Sequence, residues 1–258
     1  MRLNKTWFYL GWAGQQLLTE SVLLLPLLVW WLVSPYVSPN ILPSPQDVFA
    51  SIFSIFRDPE LNIHLAITAI RVVTATIVAA ALGSLLALIP YYIPFLRGFI
   101  LQVVQPVINA TPSVGWALFG AIWLGFSNVA VVFQQVLILL PFCLINMLQA
   151  IRGLDRDLVE MGESYGCSRW QVFSRVIAPL LVPHWMGALR MAYGISWKIS
   201  LVCELFGAER GIGYLMLHAQ TMSDIAMVFG CCLTIVLVFM VTDRLVLEPV
   251  IARILKRF

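Results

Sequence analysis

Arg71 and Lys198 stand within long apolar runs, and their chemistry is the first thing the sequence offers. A charge inside a hydrocarbon layer is costly, so it is kept for a pairing or a transport route, or it snorkels to an interface. Arg71 and Lys198 are cations, and the nearest acids, Glu204 and Asp243, fall toward the ends of their runs. Either cation could therefore put positive potential on a route for small anions. The structural alternative pairs Arg71 with a carbonyl or an acid, or lets either side chain reach an interface. Arg190 and Arg244 lie toward the ends of their runs and can snorkel.

Other chemistry is excluded by what these runs lack. His64, His184 and His218 are scattered, no G-x-S-x-G or H-E-x-x-H occurs, and the five cysteines form no C-x-x-C. That removes the nucleophile or metal cluster an intramembrane enzyme would need, and a disulfide framework with it. The lysines are Lys5, Lys198 and Lys256, and none follows a glycine, so there is no phosphate-cradling G-x-x-x-x-G-K-[ST] loop. The chain cannot hydrolyse ATP alone.

A second set of functional side chains is polar and contiguous: D-R-D-L-V-E-M-G-E-S-Y-G-C-S-R-W-Q-V-F-S-R-V-I-A-P, residues 155–179. Asp157 with Glu160 three residues on is a capping-box pattern that starts a short helix, and Leu158, Met161 and Tyr165 give it one apolar stripe. Gly166 can close that helix in the left-handed conformation, and Ser168 with Gln171 starts another. Trp170, Phe173 and Val176 or Ile177 line its apolar side, and Pro179 is expected to end it. The expectation is a helix, a glycine turn and a helix, with Arg156, Arg169 and Arg175 among exposed polar positions.

The elements that must carry these residues are membrane spans. The chain is 60% hydrophobic and 11% charged with mean hydropathy +0.90, far outside the range of soluble domains, where charged residues make up about 25%. At about 20 residues per span, 258 residues hold roughly six helices and no separate soluble domain. The expected spans are 22–37, 65–89, a broken stretch 99–127, then 129–148, 183–206 and 225–247. Residues 1–20, with Arg2, Lys5, Trp7, Phe8, Tyr9 and Trp12, read as an interfacial segment, and Ser38 to Asn62 as a loop.

Within 99–127, Pro106 and Pro112 break the helix beside Asn109, Thr111 and Ser113. Freed backbone groups in a membrane are tolerated where protein or a water-filled cavity supplies partners, so this stretch either lines a pathway or is a kinked packing helix. Trp116 and Trp197 lie deep, as gate or as packing residues. With the amino terminus inside, the basic residues of the termini and of the loops near Arg97 and 152–175 all fall inside. The outer loops then hold only Arg57 and Arg210. Both termini and the polar loop are thus expected in the cytoplasm.

Glu160, Gly166 and Pro179 fall where the EAA loop of binding-protein-dependent ABC importer permeases has its acid, glycine and closing proline, and the chain resembles that family. Met161 and Gly162 stand in place of its alanines, and Ala178 in place of the usual leucine. The run Glu204, Gly207, Ala208, Gly211, Gly213, Tyr214 resembles the family's close of the fifth span. The I-L-P-S-P-x-x-V run at 41–48, with Thr68 and Arg71, is similar to the nitrate, sulfonate, taurine and bicarbonate branch.

The resemblance implies an all-α type I importer permease fold over residues 1–258, with 155–179 as a cytoplasmic coupling helix-turn-helix. The implied place is the bacterial inner membrane. Partners would be a cytoplasmic ATPase that binds ATP and magnesium, an external solute-binding protein and a second copy of the chain, with no nucleic acid and no cofactor of its own. Asp157, Glu160, Tyr165, Gly166, Arg169, Trp170, Phe173 and Pro179 would then couple to the ATPase. Thr68, Arg71, Asn109, Thr111, Trp197, Lys198 and Glu204 are pathway candidates, and Arg210, His218 and Asp224 are candidate contacts of the binding protein. An ion-coupled secondary carrier is the other transport reading, and it would favour two matching halves, of which no repeat is visible.

Overall fold

The computed structural model describes residues 25–256, and the interfacial segment expected at 1–20 lies outside them. The described residues are helical, in the order α1 (Leu25–Tyr36), α2 (Pro45–Arg57), α3 (Pro59–Tyr92), α4 (Pro94–Ala110), α5 (Ser113–Leu124), α6 (Asn128–Arg152), α7 (Arg156–Ser164), α8 (Arg169–Gly207), α9 (Ile212–Thr221) and α10 (Ile225–Leu255). Four of these, α3, α6, α8 and α10, are long and apolar enough to cross a membrane. A fifth crossing is made if α4 and α5, bent by 84° at their junction, count as one broken span. The expected first span begins outside the described residues, and its described part is α1.

Helices α3, α6 and α8 form the centre. The contact face of α3 is a stripe of small residues, Ala75, Ala79, Ala80, Gly83 and Ala87, all buried. A Cβ on Gly83 would lie 2.6 Å from Cys143 Cβ and 2.9 Å from the Leu144 nitrogen, so α3 and α6 touch nearly backbone to backbone. This is how helices pack in lipid, where close van der Waals fit replaces the hydrophobic drive. Helix α5 leans on α6 and α8, while α10 packs against α2 and α9.

Two sequence expectations are corrected here. Ser38 to Asn62 is not one loop: Pro45–Arg57 is a helix, capped by Ser44, whose hydroxyl accepts from the Asp47 N–H at 3.2 Å, with Pro45 in its first turn. Nor does Pro179 end a helix. The rod runs unbroken from Arg169 to Gly207, because a π turn at Phe173–Ile177 precedes the proline. There the Ala178 N–H donates to the Phe173 carbonyl, five residues back, so the ladder changes register just where proline has no N–H to give. The same arrangement recurs at Ile100–Val104 before Pro106 and at Asp243–Leu247 before Pro249.

Candidate functional site: a sealed polar end and an open aromatic end

One end of the bundle is closed by a buried polar network. Glu204, near the end of α8 and fully buried, accepts from Arg71 Nη1 at 2.8 Å, from the Thr68 hydroxyl at 2.9 Å and from the Gly213 N–H at 2.9 Å. Arg71 also donates to the Arg210 carbonyl at 2.7 Å and to Asn128 Oδ1. Thr68 in turn accepts the Ile212 N–H, and His64 Nδ1 accepts the Gly211 N–H at 3.0 Å. The network ties the starts of α3, α6 and α9 to the end of α8. It is the paired form of Arg71 that the sequence left open.

The glycine run explains how the backbone comes so near. Gly211 has φ +126°, and a Cβ there would lie 2.4 Å from the Glu204 carboxylate. A Cβ on Gly213 would meet the Leu201 carbonyl at 2.6 Å. Only glycine lets this turn wrap the acid. Arg210, His218 and Asp224 are exposed at the same end, where Asp224 caps α10 by accepting the Met227 N–H at 3.0 Å.

The opposite end carries the stretch 155–179. The first helix is capped by Asp155, which accepts the Asp157 N–H at 3.0 Å, so the expected cap at Asp157 moves back two residues. Asp157 then sits in the first turn, where its charge suits the helix dipole. Gly166, with φ +74°, closes the helix as expected, and the Ser168 and Gln171 capping box is formed in full. Val159, Val172 and Ile177 face the bundle, while the stripe of Leu158, Met161 and Tyr165 faces outward. Tyr165 is 82% and Trp170 72% exposed. Phe173 lies beneath Trp170, ring centroids 5.6 Å apart, and against Tyr92. Glu160 and Arg169 are exposed on the same surface. A cleft beside them takes in Arg97, Arg152, Glu160 and Glu163.

The pathway candidates divide into two sets. Thr68, Arg71 and Glu204 belong to the sealed network, and Trp197 is core, 2% exposed and packed edge-on to Tyr193. Asn109 and Lys198 are exposed, and Thr111 lies partly open at the break between α4 and α5. Sequence reasoning missed Asn128 and His64, whose place in the network depends on contacts across 57 and 147 positions of chain. It also missed Gln134, buried with neither amide atom partnered and wedged between Gly120 and Gly207.

Four long apolar helices, a sharply bent helix pair and an exposed amphipathic element continuous with a crossing helix fit a multi-pass membrane protein. Residues 79–247 match the profile of the binding-protein-dependent transport system inner membrane component, and the chain belongs to that family. It is a permease component of an ABC transporter.

The chain is similar to the permease protein SsuC of Escherichia coli, named for aliphatic sulfonates transport, at 31% identity over 74% of this chain and 73% of the relative. It is also similar to the taurine transport system permease protein TauC of the same organism, at 26% over 80% and 78%. A third relative is the riboflavin transport system permease protein RibX of Chloroflexus aurantiacus, at 30% over 61% and 59%.

Proposed function

We infer that the chain is one half of a homodimeric pore that imports a small sulfonate-type anion. The reading places residues 155–179 in a groove of a cytoplasmic ATP-binding subunit, which supplies the ATP and magnesium chemistry absent from this chain. Tyr165, Trp170 and Phe173 are its anchors there, and Glu160 and Arg169 its polar contacts. The observation that carries this is the outward aromatic surface on a rod that continues into a membrane span. Exposed aromatic clusters of that kind are the usual anchors of protein interfaces.

Charge supports the sidedness. Arg97, Arg152, Arg169, Arg175, Arg253 and Lys256 lie toward the aromatic end, whereas Arg57 and Arg210 lie toward the network end. That asymmetry fits an inner membrane with the aromatic end and both termini in the cytoplasm. An external binding protein then meets the rim at Arg210, His218 and Asp224. Asn109, Thr111 and Lys198 face the pathway, and Thr68, Arg71, Glu204 and Trp197 hold the helices that frame it. The anion class is supported by the sulfonate and taurine names of two relatives.

Co-purification and uptake test the reading together. The tagged chain should bring down an ATPase subunit, and vesicles holding both with a binding protein should accumulate radiolabelled taurine only with ATP inside. Uptake driven by an ion gradient in the absence of the ATPase would replace this reading with a secondary carrier. ATP-dependent uptake of riboflavin in place of taurine would keep the importer and change its cargo.

A further inference from the structure

Arg71, Arg190, Arg244 and Lys198 carry positive charge within the hydrophobic helices, and their surroundings differ. Arg71 is neutralised by Glu204 in the sealed network. Arg190 is held by Asp243 at 2.8 Å and by Glu248 at 3.5 Å. Arg244 lies about 28 Å along α10 from Ile225, near the far boundary of a hydrocarbon core about 30 Å thick. Lys198 is exposed and has no hydrogen bond or ion pair among the described residues.

Its depth makes that exposure informative. Lys198 is about 13 Å of helix from Gly207 at one end of α8 and about 12 Å from Arg190 on the other side. Neither interface is within reach of its four-carbon stem, so it cannot snorkel, and an unpaired ammonium turned to lipid at that depth is heavily penalised. The side chain must therefore face water or a second copy of the chain. It lies in a groove between α8 and α10 with Gly187, Gly194, Phe239 and the paired Arg190 and Asp243; the space over Gly187 is open, while the Phe239 ring covers Gly194.

We propose that Lys198 is the charge-selecting residue of the translocation pathway. Its ammonium meets the permeating oxyanion midway across the membrane, and the α8 face bearing Gly187, Gly194 and Lys198 borders the water-filled route. The proposal rests on the importer reading above and assigns the electrostatics of its pathway to one side chain.

The test reads local potential without needing the natural cargo. Ile195→Cys places a thiol one turn from Lys198 in the same groove. The background carries Cys167→Ser and Cys232→Ser, because the remaining cysteines are buried. Vesicles holding the permease with its ATPase are treated with sulfonatoethyl methanethiosulfonate, an anion, or with the trimethylammonium analogue, a cation. With each rate divided by that reagent's rate toward a free thiol in solution, the anion should be favoured roughly tenfold, as expected for a nearby unit charge in a partly hydrated site. Adding Lys198→Gln should remove the preference, and Lys198→Arg should keep it.

Silence toward both reagents would show a face closed to water, and equal normalised rates with Lys198 present would show that its charge does not reach the route. Either result overturns the proposal. ATPase co-purification in the same preparations keeps this separate from the importer reading, since loss of the ATPase in the unsubstituted chain would count against that reading instead.

Discussion

The two ends of this bundle use similar residues in opposite ways. At the network end, Arg71, Glu204 and Thr68 are buried and satisfy one another, while glycines bring the backbone against them. At the other end, Glu160, Arg169, Tyr165 and Trp170 project from a helix-turn-helix whose inward side is small and apolar, with Val159, Val172 and Ile177. The contrast teaches that polarity alone does not mark a partner surface in a membrane protein. What separates the ends is whether the hydrogen-bonding capacity is used up inside the chain.

Substitutions should therefore affect fold at one end and assembly at the other. The largest effect is expected from Glu204→Ala, which strands the Arg71 guanidinium in the interior. Breaking a buried pair from one side costs about 3–5 kcal/mol, visible as a lower unfolding temperature in detergent. The double change Arg71→Met with Glu204→Leu should recover part of that loss, and failure to recover would mean the charges do more than neutralise each other.

Next comes Trp170→Ala, which should weaken ATPase binding by about 2–4 kcal/mol while moving stability by no more than about 0.5 kcal/mol. Titration of the ATPase against the detergent-solubilised chain, set beside its melting curve, reads both. A melting shift as large as that of Glu204→Ala would erase the distinction between the ends. Gly213→Ala is smaller, about 1–3 kcal/mol of destabilisation, because its Cβ must displace the Leu201 carbonyl, which is backbone. The smallest is Ser168→Ala, about 1 kcal/mol through loss of the capping box. It should appear as faster amide exchange confined to the first turn after Ser168.

The legible parts of the molecule were those whose cause is local. Gly166 and the Ser168 and Gln171 box could be read because a turn and a cap are decided within a few residues. The helix at 45–57 was equally local, and Ser44-Pro45-x-Asp47 is its start signal, but the surrounding prolines hid it. Pro179 misled because a proline ends a helix only while the ladder keeps α register, and a π turn removes that condition. Arg71 and Glu204 could be singled out individually, yet their union across 133 positions depends on how α3 and α8 pack. The Glu204 to Tyr214 run could be matched as a pattern, whereas its task of wrapping a carboxylate needed the backbone path.

The π turn at Phe173–Ile177 also sets the azimuth of everything beyond it. A wide turn holds one more residue than the α turn it replaces, and each residue of an α-helix advances the side chains by about 100° around the axis. The direction in which Gly187, Gly194 and Lys198 look, relative to Trp170 below them, is thus indexed by this single expanded turn. If it tightened to α geometry, the upper rod would swivel by roughly a quarter of a revolution while both its ends kept their internal hydrogen bonds.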